Sequence, residues 1–121
     1  MAGTLVADVL QDGAGNSTAM DNAIYGSAKA WVNFNGNSGS VAIRTSYNVS
    51  SVTRSSTGIY GISFTNALTD ANYVALAMNN NQQAYCNISS STPQTSSVLT
   101  LTMYYTSSPS DASVVTVACF R

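Results

Sequence analysis

The chain has 121 residues and a mass of 12.6 kDa, enough for one ordinary domain and too little for two. Only 7% of its residues are charged: Lys29, Arg44, Arg54 and Arg121 face five aspartates, with no Glu and no His, for a net charge of −1. Four scattered cations cannot neutralise a nucleic-acid backbone, an apolar share of 45% is too high for intrinsic disorder, and scarce Lys, Arg and Glu disfavour long helices.

What remains is a β-forming chain wetted by hydroxyls and amides: 19 Ser, 13 Thr and 12 Asn make up more than a third of it. Period-two alternation, broken by small polar clusters, recurs from end to end. Thr4–Leu10 is a short candidate strand, followed by the turn-rich run Asp12-Gly13-Ala14-Gly15-Asn16-Ser17. Residues 18–27 have no period and read as a connection. From Ala28 to Asn35, Ala30, Val32 and Phe34 share one face and Lys29, Trp31 and Asn33 the other. The turn Gly36-Asn37-Ser38-Gly39 joins this strand to Val41–Val49, where Val41, Ile43, Thr45, Tyr47 and Val49 alternate with polar or small residues.

A second hairpin follows, with Ser51–Arg54 and Ile59–Thr65 around Ser55-Ser56-Thr57-Gly58 and with Tyr60, Ile62 and Phe64 aligned. Asn72–Met78 sets Val74, Leu76 and Met78 against Tyr73, Ala75 and Ala77. An amide-rich tip (Asn79, Asn80, Asn81, Gln82, Gln83) turns into Ala84–Ser89. Val98–Thr106 and Ser113–Arg121, joined by a turn over 107–111, complete about eight strands without a convincing helix. That spacing predicts an all-β, antiparallel, jelly-roll-like sandwich over 28–121, preceded by an extended N-terminal arm over 1–27.

Catalytic chemistry is hard to assemble from these residues. Without His there is no ready proton shuttle near neutral pH and no Ser-His-Asp or Cys-His arrangement. Of the carboxylates only Asp8, Asp12 and Asp21 lie close in sequence, and Lys29 follows Ser27 by two positions rather than the three of acyl-enzyme formers. No enzyme activity, cofactor or metal is expected. The run from Asp12 to Asn16 lacks the distant bidentate acid of a calcium loop and reads as a polar-capped turn. Cys86 and Cys119 lie on separate strands, where they either face each other or serve as small buried hydrophobes; the reduced, buried state is expected.

No basic residue precedes Lys29 and Asp8 interrupts the apolar start, so no secretory leader is expected. No run approaches the roughly 18 apolar residues that cross a bilayer, so no membrane insertion is expected.

Aromatics and amides are the better candidates for binding. Trp31 shares a strand face with Lys29 and Asn33 and is either exposed, at an interface between subunits, or covered by the N-terminal segment. Trp31, Tyr104 and Tyr105 would be the stacking platform of a carbohydrate-binding module. The tip Asn79, Asn80, Asn81, Gln82 and Gln83 is the candidate for host or glycan contact, or else a solvated hairpin end.

The stretch Ala28-Lys29-Ala30-Trp31-Val32-Asn33-Phe34-Asn35-Gly36, then Val41-Ala42-Ile43-Arg44, then Ser46-Tyr47-Asn48-Val49-Ser50-Ser51-Val52-Thr53, resembles a β-rich module of bacteriophage virion surface proteins of the tail-fibre, head-fibre and capsid-decoration type. Thr57-Gly58, Tyr60, Phe64-Thr65 and Asp70-Ala71-Asn72-Tyr73-Val74 continue the likeness, and Ile59 departs from it where a polar or acidic residue would be expected. The resemblance implies a non-enzymatic virion structural protein, assembled in the host cytoplasm, displayed on the particle surface and oligomeric, with a trimer expected. Its implied partners are copies of itself, phage capsid or tail proteins, and host surface glycan. Leu5, Val6, Val9, Leu10 and Trp31 are the residues expected to dock on the virion or oligomerise. A receptor-binding fibre tip and a soluble carbohydrate-binding module are the alternatives.

Overall fold

A computed structural model describes residues 3–81 and 84–121. The core of the protein is a sandwich of two antiparallel sheets, as the alternation predicts. Its strands are β3 (Ala28–Asn35), β4 (Ala42–Tyr47), β5 (Val49–Ser56), β6 (Ile59–Phe64), β7 (Val74–Asn79), β8 (Ala84–Ile88), β9 (Val98–Tyr105), β10 (Ser108–Pro109) and β11 (Val115–Phe120). One sheet runs β4-β3-β11-β7. The other runs β5-β6-β9, with β8 along the far side of β9 and the short β10 at its end. Hairpins β3–β4 and β5–β6 stay within a sheet, and the chain crosses between sheets after β4, β6, β7 and β10.

The alternating apolar residues meet in the middle. Ala30, Val32 and Phe34 of β3 and Val115, Val117 and Cys119 of β11 pack on Tyr60, Ile62 and Phe64 of β6 and Leu99, Leu101 and Met103 of β9, all buried. Phe34 meets Tyr60 edge to face at 5.3 Å, and Phe64 meets Tyr73 likewise at 5.7 Å, the offset that ring quadrupoles favour.

A polar clasp closes one end of this core. The Asp111 carboxylate accepts from Arg54 Nε at 3.0 Å, from the Gly58 N–H at 2.8 Å and from the Tyr60 hydroxyl at 2.8 Å. That hydroxyl also lies 2.9 Å from the Gly36 carbonyl, so the clasp joins β5, β6 and the β3–β4 loop to the segment entering β11. Burial alone would raise the Asp111 carboxyl, but the hydrogen bonds from Arg54, Gly58 and Tyr60 outweigh it and hold the group below its ordinary value. Gly58 sits at φ 69°, where an added Cβ would lie 2.3 Å from the Met103 carbonyl; only glycine fits.

Three expectations need correction. Val41–Val49 is not one strand: Asn48 adopts φ 55° and ends β4. Its side-chain amide donates to the carbonyls of Lys29 (3.1 Å) and Asn66 (3.0 Å) and accepts from the Asn66 N–H (2.8 Å), holding the corner through which the chain changes sheets. Ile43 and Tyr47 are both exposed and do not share a face, because a bulge between Asn33 and Phe34 pairs Ile43 with Phe34 and Tyr47 with Trp31.

The segment before the sandwich is not simply extended, and 18–27 is not a plain connection. β1 (Val9–Gln11) pairs with β2 (Ser17–Ala19), and a two-turn helix α1 (Met20–Gly26) follows. Asp12 builds the turn by accepting from the N–H groups of Ala14 and Asn16, both at 2.9 Å, and from the Asn16 side-chain amide at 2.8 Å. These bonds, led by the Asn16 amide, hold the Asp12 carboxyl below its ordinary value. Seven residues are too few for a helical period to show in the sequence.

Candidate functional site

Strand register decides what each sheet shows to its outer side, because paired residues in antiparallel strands point the same way. Across the β4-β3-β11-β7 sheet, one row reads Tyr47, Trp31, Ala118, Leu76. The next reads Thr45, Asn33, Thr116, Met78, and Phe120 pairs with Val74 beside the first. Tyr47, Leu76 and Met78 are 58%, 60% and 73% exposed, Trp31 is 38% exposed, and Val74 is exposed too. The small Ala118 between Trp31 and Leu76 leaves a shallow depression of 180 Å³ lined by Leu76, Met78, Thr116 and Ala118. At the flank, Arg44 reaches Asn33 Oδ1 at 3.2 Å and the Ser113 carbonyl at 2.6 Å.

The outer side of the other sheet is different. Its rows read Ser51, Ser63, Val98; Thr53, Gly61, Thr100; and Ser56, Ile59, Thr102, Asn87. Hydroxyls dominate, and Ile59 lies among them. At one end Tyr85 and Tyr104 stack at 5.9 Å with their rings 27° apart. Beside Tyr104 lies a depression of 560 Å³ lined by Cys86, Asn87 and residues 88–91.

The N-terminal candidates stand apart from the core. Leu5 and Val6 are 80% and 90% exposed, and Val9 and Leu10 of β1 are exposed as well. Ile24 and Tyr25 of α1, which sequence reasoning passed over, add two more exposed apolar side chains. The helix has no buried residue. Its end is fixed to the sandwich by Lys29, whose ammonium donates to the Ile24 carbonyl and, at 2.7 Å, to Ser27 Oγ.

The amides of the tip have structural work. Asn80 donates to Ser113 Oγ at 2.9 Å and accepts from the Val114 N–H at 3.0 Å, Asn81 donates to Ser110 Oγ at 3.2 Å, and Asn79 donates to the Ala84 carbonyl at 3.1 Å. They pin the β7–β8 crossover to the segment entering β11, along a polar cleft of 590 Å³ shared with Asn37 and Tyr105. Gln82 and Gln83 lie outside the described residues. The stacking platform is not assembled: Trp31 is on one sheet, Tyr104 is on the outer side of the other, and Tyr105, its neighbour in β9, points the opposite way.

A second cleft, of 440 Å³, lies between Tyr47, Asn48, Leu68, Lys29 and Arg121. Its cations are engaged, Lys29 as above and Arg121 with Asp70 (Nε–Oδ1 3.0 Å), which holds the Asp70 carboxyl below its ordinary value. Cys119 is buried and Cys86 half-buried, both free, on opposite sheets; burial pushes the Cys119 thiol up to about 11 and the Cys86 thiol upward as well. Among the described residues, no three acidic or thiol groups converge as a metal cluster would require.

Sequence reasoning found Trp31 and missed Tyr47, Leu76 and Met78. A signal was present: Tyr73-Val74-Ala75-Leu76-Ala77-Met78 is an unbroken apolar run in a polar chain, the pattern of a strand covered on both faces. Comparison with protein-family models, with curated protein sequences and with solved structures finds no match.

Proposed function

We propose that this protein is a non-enzymatic structural protein that assembles with copies of itself, as a trimer, on the surface of a bacteriophage particle, as a capsid decoration or fibre protein. The observation that carries assembly is the apolar outer face around Trp31, Tyr47, Leu76 and Met78, a contiguous patch of the kind that marks interaction sites. The exposed side chains of Leu5, Val6, Val9 and Leu10 support an N-terminal docking segment. The likeness of residues 28–74 to virion surface modules supports the particle, and a surface poor in charge suits assembly, because few ions must be desolvated when faces meet.

Sedimentation equilibrium tests the assembly: a stable trimer is expected, and a monomer at all concentrations would overturn it. Immunogold labelling of the source particle tests the location. Label spread over the shell means decoration, label at vertices or tail means a fibre, and particles without label refute the virion reading.

A second reading, contact with a host glycan, draws on the Tyr85–Tyr104 stack beside its polar depression. Tyr104→Ala should then abolish retention on a glycan column that holds the wild type.

A further inference from the structure

We propose that the outer face of the β4-β3-β11-β7 sheet is the seat for residues 3–26 of a second copy of this chain. The inference rests on the assembly reading and names the contact that makes it.

Four observations converge on that occupant. First, the chain carries two exposed apolar surfaces of matching size. Leu5, Val6, Val9, Leu10, Ile24 and Tyr25 on one side, and Trp31, Tyr47, Val74, Leu76 and Met78 on the other, each offer on the order of 600–800 Å², near the roughly 800 Å² per partner of a standard interface. Second, their charges are complementary. The N-terminal segment holds Asp8, Asp12 and Asp21 and no cation. The apolar rows carry no charge and are flanked by Arg44, which bonds to Asn33 on this face, and by Lys29 on β3, whose ammonium also holds the Ile24 carbonyl and Ser27 of its own chain. Among the described residues, Arg44 and Lys29 are the two cations that make no salt bridge, since Arg54 holds Asp111 and Arg121 holds Asp70.

Third, β7 ends the sheet with β11 on one side only, and it has no charge, no proline and no bulge to blunt its edge. Residues 3–7, with the β-prone run Thr4-Leu5-Val6, adopt no secondary structure in the single chain. Such a segment gains backbone partners by lying along an open edge. Fourth, the 180 Å³ depression over Ala118 compares with the roughly 150 Å³ cavity that accepts a benzene-sized group, so it has room for one aliphatic side chain.

The contact runs from segment to face; a reciprocal exchange of segments would close as a dimer, whereas passed on from copy to copy it is heterologous and repeats around a ring when the rotation closes. A trimer is such a ring. Two faces meeting each other would instead give a closed dimer.

Paired cysteine variants distinguish these arrangements. Val6→Cys and Met78→Cys are made separately in a Cys86→Ser background, mixed under dissociating conditions, returned to assembly conditions and oxidised. Disulfide-linked dimers are expected from the mixture and not from either variant alone. Linkage of Met78→Cys to itself would show face-to-face pairing and overturn the proposal. The double variant Leu76→Asp/Met78→Asp should weaken assembly by about 100-fold or more, because carboxylates would have to be buried against apolar side chains. Both positions are exposed, so a wild-type circular dichroism melt confirms that the variant folds. A wild type that assembles while this variant assembles equally well overturns the seat and leaves the assembly reading standing. A wild type that never assembles overturns both.

Discussion

The two outer faces of the sandwich share strand geometry and enclose one core, yet their chemistry is opposite. On the β5-β6-β9-β8 side, Ser51, Thr53, Ser56 and Ser63 alternate with inward-facing residues and turn hydroxyls outward, while Thr100 and Thr102 of β9 are themselves buried. On the β4-β3-β11-β7 side, small Ala75 and Ala77 of β7 turn inward while larger Val74, Leu76 and Met78 turn outward. A strand gains most by burying its bulkiest apolar side chains, at about 25 cal/mol per Å² of surface removed from water. β7 leaves them in solvent, and the gain is realised when a second surface covers them. On the assembly proposed above, the difference separates residues that hold the fold from residues that meet a second copy.

Substitutions should fall into those two groups, and the largest effect belongs to the clasp beneath both faces. Asp111→Asn removes the ion pair with Arg54 and should lower unfolding stability by about 2–3 kcal/mol, measured by denaturant melts, with both faces lost together. The same residue sets a pH dependence. Its folded-state pKa lies below the ordinary 3.8, so its contribution is complete above that value and disappears as pH falls through the lower folded one. Asp12 and Asp70, also held low, add to the loss. Wild-type stability should therefore drop below about pH 4. In Asp111→Asn that slope should be shallower, and an unchanged slope would remove Asp111 from the account.

Next comes the corner between the sheets. Asn48→Ala loses three side-chain hydrogen bonds and places alanine at φ 55°, for an expected cost of about 2 kcal/mol. Asn48→Gly should recover about 1 kcal/mol of it by relieving the backbone alone. Equal losses would show that the left-handed conformation costs nothing there.

How much of this was legible in the sequence follows the same division. Ala30/Val32/Phe34 alternate with Trp31 and Asn33, Tyr60/Ile62/Phe64 with Gly61 and Ser63, and Leu99/Leu101/Met103 with Thr100 and Thr102, and each set is buried as its period implies. Alternation gives a period but not a sign when both sides are apolar. In Tyr73–Met78 the inward side is settled by packing, with Tyr73, Ala75 and Ala77 against the core, a tertiary fact. Tyr47 escaped because a bulge between Asn33 and Phe34 shifts the β3–β4 register and brings it opposite Trp31. The tip amides were read as free because their partners, Ser110, Ser113 and Val114, are about 30 residues away along the chain.

The smallest effects should come from the hydroxyl face. Ser56→Asp with Asn87→Asp places two charges there and should change stability by less than about 0.5 kcal/mol each and leave assembly unaltered by sedimentation. A loss of assembly equal to that of Leu76→Asp/Met78→Asp would erase the distinction between the faces.

Trp31 is the single tryptophan of the chain, and it lies in the apolar row with Tyr47, Ala118 and Leu76, so its fluorescence reports on that face alone. The most direct measurement is acrylamide quenching of this emission across a dilution series spanning assembly. If the face is covered by a second copy, quenching falls and the emission shifts to shorter wavelength as concentration rises. Quenching that stays the same from dilute to concentrated protein would contradict the account.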